Sequence, residues 1–220
     1  VLKQEGHLQE AIKAYEKAIA IKPDHAEAFN NIGNVLQEIG DHNQAIASYE
    51  KAILINKNYP EALNNMGISL RETGKHSQSL DAFTRAIELN PNYAEAHFNK
   101  GKFFHENADL VKAIDCYEKA IEIKPNYPEA FNNIGNALQD GGKPGEASKA
   151  YEQAIAIKPD YAMALQHLSV LKTFSADDPQ ISQLEKLFSK PGLEDSDKCY
   201  VSYALAKVHE DLGNWQDAYG

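Results

Sequence analysis

Cysteine, methionine and tryptophan are scarce in this 220-residue chain, at two, two and one residues. Two cysteines as far apart as Cys116 and Cys199 give no disulfide framework, so the expectation is a reducing, cytoplasmic setting and an inert Cys116. Positive charge is short as well. A net charge of -10 removes the electrostatic footing that a nucleic-acid partner held by its phosphates would need. No apolar run approaches the length that crosses a membrane, and no signal-peptide pattern is visible.

Catalytic signatures are equally thin. His97 and His105 stand eight apart, without a His-Glu-x-x-His spacing, so packing or solvated histidines are expected in place of metal ligands. Gly141-Gly142 precedes Lys143-Pro144 with no strand before it, which rules out a phosphate-binding fingerprint. Carboxylates are abundant, but none is singled out as half of an acid/base pair. The chain is read as a non-enzyme with no cofactor and no metal.

What the chain has instead is one sentence written four times. Ala26 to Tyr59 reads AEAFNNIGNVLQEIGDHNQAIASYEKAILINKNY, and in-register copies begin at Pro60, Ala94 and Pro128, each 34 residues after the last. That period marks a stacked helix-turn-helix array. Counting the first residue of a copy as position 1, apolar or small residues fall at 4, 7, 8 and 11 (Phe29, Ile32, Gly33, Leu36), one face of a first helix. Gly40, Gly74 and Gly142 at position 15 supply a turn. Positions 20, 24 and 27 carry small and aromatic residues, Ala45, Tyr49 and Ala52, then Ala147, Tyr151 and Ala154. Small residues let the paired helices approach, and the aromatics fill the space beside them.

These spaced positions resemble the tetratricopeptide repeat family. The resemblance implies an all-α fold, a right-handed superhelical α-solenoid of antiparallel helix pairs, in which each repeat touches chiefly its neighbours. Residues 1-25 align with positions 10 to 34, with Gly6 at the turn, so the first repeat is partial and the sequence is expected to be a piece of a longer protein. Its face at Leu8, Ile12, Tyr15 and Ile19 is expected to be sticky, which would allow self-association through open ends. Residues 26-161 are the four regular repeats. Residues 162-220 are divergent: Ala162 to Phe174 reads as a first helix with Ser169 at position 8, Asp178-Pro179 starts another, Ser196 to Leu212 a third, and Gly213 with Ala218 opens a truncated repeat. The stretches HLSVLKTFSADDPQISQLEKL and YALAKVHEDLGNWQDAY resemble the segment joining repeats to catalytic domain in bacterial tetratricopeptide-repeat sulfotransferases. That similarity implies a non-catalytic arm of a larger transferase; the phosphosulfate-binding loop of such enzymes is absent from these residues.

The joints between repeats carry Asp24, Asn58, Asn92, Asn126 and Asp160, expected as helix N-caps, with Glu27, Glu61, Glu95 and Glu129 at capping-box spacing after the first four. Pro23, Pro91, Pro125 and Pro159 stop the preceding helices.

Position 6 of the first helix repeats an amide: Asn31, Asn65, Asn99 and Asn133, then His167. Positions 2, 6, 9 and 13 share a face, which adds Asn34, Lys102 and Asn136 at position 9, while Asn30, Asn64 and Asn132 stand at position 5. The family resemblance puts first helices on the concave side. An amide carries donor and acceptor together, so a row of them can hold a peptide backbone without reading its sequence. A similar asparagine ladder lines the repeats of the eukaryotic O-linked N-acetylglucosamine transferase. A solvated face shared by near-identical copies is the plain alternative, although each Asn costs about half a kcal/mol against Ala in a helix. Chaperone-binding relatives clamp a terminal carboxylate with Lys and Arg at positions 2, 5 and 6; this chain has Glu, Asn and Asn there. The expected partner is therefore a protein or peptide, neutral or basic where it meets the Glu rows at positions 2 and 13. Lys100 and Lys102, with Phe98 and Phe103, interrupt the pattern in the copy at 94-127, where specificity can enter.

Overall fold

A computed structural model describes residues 2-214. Within that span the chain is all-helical: α1 (Leu2–Ile21), α2 (Ala26–Ile39), α3 (His42–Ile55), α4 (Pro60–Glu72), α5 (His76–Leu89), α6 (Ala94–Glu106), α7 (Leu110–Ile123), α8 (Pro128–Asp140), α9 (Pro144–Ile157), α10 (Ala162–Leu171), α11 (Pro179–Phe188) and α12 (Asp195–Asp211). They form two compact units, Val1–Asp109 and Leu110–Gly220.

In the first unit α2 pairs with α3 and α4 with α5, and the first helices α2, α4 and α6 lie side by side. The close approach of each pair depends on position 8. A Cβ added at Gly67 would stand 2.7 Å from Phe83 Cε1 and 3.0 Å from Cζ, and Gly33 and Gly135 meet the rings of Tyr49 and Tyr151 even more tightly. The rings of Tyr49, Phe83 and Tyr151 are fully buried there. Sequence spacing and packing agree on this point.

Position 15 ends each first helix the same way. At Gly40 the amide donates to Gln37 O and that of Asp41 to Leu36 O, and the same pair of bonds recurs at Gly74-Lys75 and Gly142-Lys143. This is the Schellman arrangement, which needs a left-handed residue. The glycines have φ of 89°, 72° and 72°, and the copy at 94-127 makes the same turn with Ala108 at φ 59°.

The joints between repeats depart from expectation. The helices begin one residue after the joint Asp or Asn: the N-caps are His25, Tyr59, Tyr93, Tyr127 and Tyr161, and the four tyrosines make no side-chain cap bond. Burial of the aromatic ring fixes the chain entry and outweighs a capping bond; Tyr127 is 7% exposed. Lys124 and Lys158, three residues earlier, lie over the Tyr127 and Tyr161 rings at 4.3 and 5.1 Å, which accounts for the Lys-Pro-x-Tyr joint. The glutamates at position 2 still sit in the first turn, where the helix dipole favours them.

Gly6 is not a turn, because α1 runs through it from Leu2 to Ile21. One glycine costs a helix only about 1 kcal/mol, which the rest of α1 outweighs. The expected sticky face of α1 is largely engaged. Ile12, Tyr15 and Ile19 pack, half-buried, on the cluster of Ile32, Leu36, Ala45 and Tyr49.

In the second unit α8 pairs with α9, while α10 packs chiefly on α12, with α11 between them in sequence. The first helix of this divergent part stops at Leu171, three residues short of the expected end, and Phe174 turns into the core from the loop. Its amide donates to Asp211 Oδ2 at 3.0 Å, a tether to α12 that a longer α10 would break. Asp178 caps α11 through Gln180 N with Pro179 at the first helical position, as expected. Gln183 Nε2 donates to Pro159 O at 2.7 Å and Lys190 pairs with Asp160 at 2.9 Å, fixing α11 to the joint before α10. The turn at Gly213 repeats the Schellman pair, with Asn214 N on His209 O. Ala218 and the expected truncated repeat lie outside the described residues.

Candidate functional site

The amides expected on one face separate into three environments. Asn30, Asn64 and Asn132 at position 5 are buried, at 6, 3 and 0% exposure. They act as receivers for the next copy: Asn65 Nδ2 lies 3.4 Å from Asn30 Oδ1, Asn99 Nδ2 3.0 Å from Asn64 Oδ1, and His167 Nδ1 3.0 Å from Asn132 Oδ1. Position 6 of one copy thus bonds position 5 of the copy before it. The His167 bond requires the proton on Nδ1, since the amide oxygen only accepts. Burial pushes the His167 pKa down, so the ring is neutral at pH 7.

Asn34 and Asn136 at position 9 serve the paired helix. The Tyr49 hydroxyl has Asn34 Oδ1 at 2.9 Å and Gln37 Oε1 at 2.8 Å as acceptors, and Tyr151 meets Asn136 Oδ1 at 2.8 Å and Gln139 Oε1 at 3.0 Å. Burial raises the pKa of both hydroxyls well above the usual tyrosine range. In these two copies the sequence carries the signal at position 12, where Gln37 accompanies Tyr49 and Gln139 accompanies Tyr151. Where that aromatic is Phe83, position 12 is Arg71.

Position 6 itself is half-buried throughout, and its members differ in what they have left. Asn65 has spent both N–H groups, on Asn30 and on Asn34 at 2.9 Å, and its carbonyl accepts from Asn64 at 3.3 Å. Asn99 gives one N–H to Asn64 and retains the other with its carbonyl. Among the described residues Asn31 and Asn133 make no hydrogen bond, so each retains a whole amide.

Glu27, Glu61 and Glu95 are exposed along the N-terminal edge of α2, α4 and α6. Burial, then the charges of Glu61 and Glu95, raise the Tyr93 pKa to about 12, and burial with Glu27 and Glu61 raises that of Tyr59. At the other end of α4 and α6, Arg71 pairs with Glu72 at 2.8 Å and Glu106 at 3.3 Å. Lys102 is half-buried within electrostatic reach of all three. No group of three His, Cys, Asp or Glu able to hold a metal occurs among the described residues, and no helix there is long and apolar enough to cross a membrane.

Stacked helical hairpins joined copy to copy by side-chain bonds define a helical-repeat protein. Family models agree along most of the chain: TPR repeat over residues 1–40, and tetratricopeptide repeat over 24–92, 64–128 and 128–161. The solved structure of MamA is 31% identical, covering 73% of this chain and 94% of that one with a TM-score of 0.63. YrrB, described as a TPR protein with an unusual peptide-binding site, is 19% identical over 88% of this chain and 98% of its own, with a TM-score of 0.60. Comparison with curated proteins gives no match. The chain belongs to the tetratricopeptide repeat family.

Proposed function

We propose that this chain is a protein-interaction scaffold that holds an extended peptide segment against its first helices. The observation that carries the reading is the unspent amide capacity. After the copy-to-copy bonds are made, Asn31 and Asn99 still offer donor and acceptor groups in the first unit, and Asn133 does so in the second. Each bond to a peptide backbone contributes about 0.5–1.5 kcal/mol net, so the site works by adding several of them to the contact of flanking side chains. The exposed Glu27, Glu61 and Glu95 favour neutral or basic segments over the stretch they face. The peptide-binding site ascribed to YrrB, similar in fold, supports the ligand class.

The test separates binding from stacking. Asn31 and Asn133, which make no copy-to-copy bond among the described residues, are changed together to Ala, and the variant is compared with wild type for binding a random peptide library and for denaturant midpoint. The expected result is weaker binding at an unchanged midpoint. Equal binding by both proteins, or none by either, overturns the reading and leaves these amides as solvated helix surface.

A further inference from the structure

In the copies at 26-59 and 128-161, position 12 serves a tyrosine hydroxyl and position 9 shares that duty. In the copy at 60-93 the aromatic is Phe83, which has no hydroxyl, and position 12 is released to carry Arg71. The Arg71 side chain is 8% exposed. Its Nη2 and Nε reach Glu72 and Glu106, while Nη1 is shut off from solvent without an acceptor. Lys102, at position 9 of the next copy, makes no ion pair among the described residues. Burial and then the charge of Arg71 push its pKa down, against an opposing pull from Glu106 and Glu72.

The inventory is unbalanced in one direction. Two cations and two carboxylates cancel in charge, but both carboxylates are taken by Arg71. The two N–H groups on Nη1 are buried without an acceptor, where unmet donors are costly, and the Lys102 ammonium has no carboxylate of its own. Lys102 also stands three residues from Asn99, so the two side chains are neighbours on one helix face. A backbone engaged by the spare half of the Asn99 amide delivers its adjacent side chain to the Lys102 ammonium.

We infer that Arg71 and Lys102 form a pocket for a carboxylate side chain, Glu or Asp, of the peptide taken up by α2, α4 and α6; this rests on the scaffold reading above. Lys102 makes the contact, and Arg71 acts behind it through its charge. The pocket takes a monoanion, because Glu72 and Glu106 hold the local sum at zero and repel a second negative charge. The ligand is then mixed in character, neutral or basic along the position-2 glutamates and acidic at one residue beside α6.

Pools of capped nine-residue peptides, random except for one position fixed as Glu, Gln or Lys and scanned along the peptide, test this against the full chain. At one register the Glu pool is expected to bind about tenfold tighter than the Gln pool, as one charge-assisted bond provides. Lys102→Gln should erase that preference without lowering the denaturant midpoint, and Lys102→Glu should turn it toward Lys. Equal Glu and Gln pools in wild type, or a Glu preference that survives Lys102→Gln, overturn the pocket. If the Gln pool binds and its binding depends on Asn31 and Asn99, the scaffold stands while the pocket falls; if no pool binds wild type, both fall.

Discussion

At position 8 the copies at 26-59, 60-93 and 128-161 carry Gly33, Gly67 and Gly135, while α10 carries Ser169, and the layer beneath differs with it. Under the glycines lie the rings of Tyr49, Phe83 and Tyr151, wedged between paired helices where a Cβ would collide. The core that α10 shares with α11 and α12 is mainly aliphatic: Leu165, Leu184, Leu187, Val201 and Val208, closed by Phe174. The buried Ser169 hydroxyl turns back to Gln166 O at 2.7 Å. One region stacks identical wedges; the other packs a three-helix plug that ends the regular pattern. The lesson is that the glycine and the aromatic are a single device, lost together when the chain no longer has to repeat.

The comparison breaks hardest at the wedge. Tyr151→Ala should cost about 3–5 kcal/mol in denaturant unfolding, by removing a fully buried ring and orphaning its amide acceptors. Tyr151→Phe, which installs what Phe83 already is in another copy, should cost about 1 kcal/mol. Next comes the glycine. Gly135→Ala should lose about 1–3 kcal/mol by overpacking against the Tyr151 ring, whereas Ser169→Ala, whose Cβ is already accommodated, should lose no more than about 1 kcal/mol. Equal losses at the two sites would remove the distinction drawn between the regions.

The third prediction sharpens the division among the amides. Asn65→Ala removes three side-chain bonds, two of which tie copies together, and should cost about 1–3 kcal/mol of stability; Asn133→Ala should cost nothing measurable there. Both carry the same residue at the same repeat position, so a common effect would show that position, not bonding, decides.

Much of this was legible beforehand. The period, the wedge and the position-15 turn follow from residue size and backbone freedom, which repeat counting exposes directly. The joint was misread because a capping box is a local rule, and burial of Tyr93 or Tyr127 against other residues is a tertiary effect that overrides it. The amide face was only half legible. Asn30 and Asn31 are adjacent asparagines that spacing alone cannot rank, yet Asn30 is buried as a receiver and Asn31 keeps its whole amide. Copy-to-copy bonding is a relation between residues 35 apart, and nothing local encodes it.

A smaller effect is due at Ala108, which completes at φ 59° the turn that glycine makes elsewhere. A left-handed alanine costs about 1–2 kcal/mol, partly offset by the greater freedom of glycine in the unfolded chain. Ala108→Gly should therefore raise stability by about 0.5–1 kcal/mol, read from the denaturant midpoint.

The smallest effect separates the two regions by pH. His167 takes over in α10 the bond that Asn65 and Asn99 make in regular copies, and burial depresses its pKa below the ordinary histidine value. The unfolded chain therefore binds this proton more readily than the native one, and the stability contributed by the neutral ring is complete above the unfolded pKa of about 6.5. As pH falls from there toward the lowered native pKa, that contribution is lost. His167→Asn restores the amide of the regular copies without a titrating group. The difference in denaturant midpoint between wild type and His167→Asn should change between pH 7.5 and pH 5, to the disadvantage of wild type at the lower pH. A difference independent of pH would mean that the ring is equally solvated in both states, and that the divergent end stacks without closing over its substitute for asparagine.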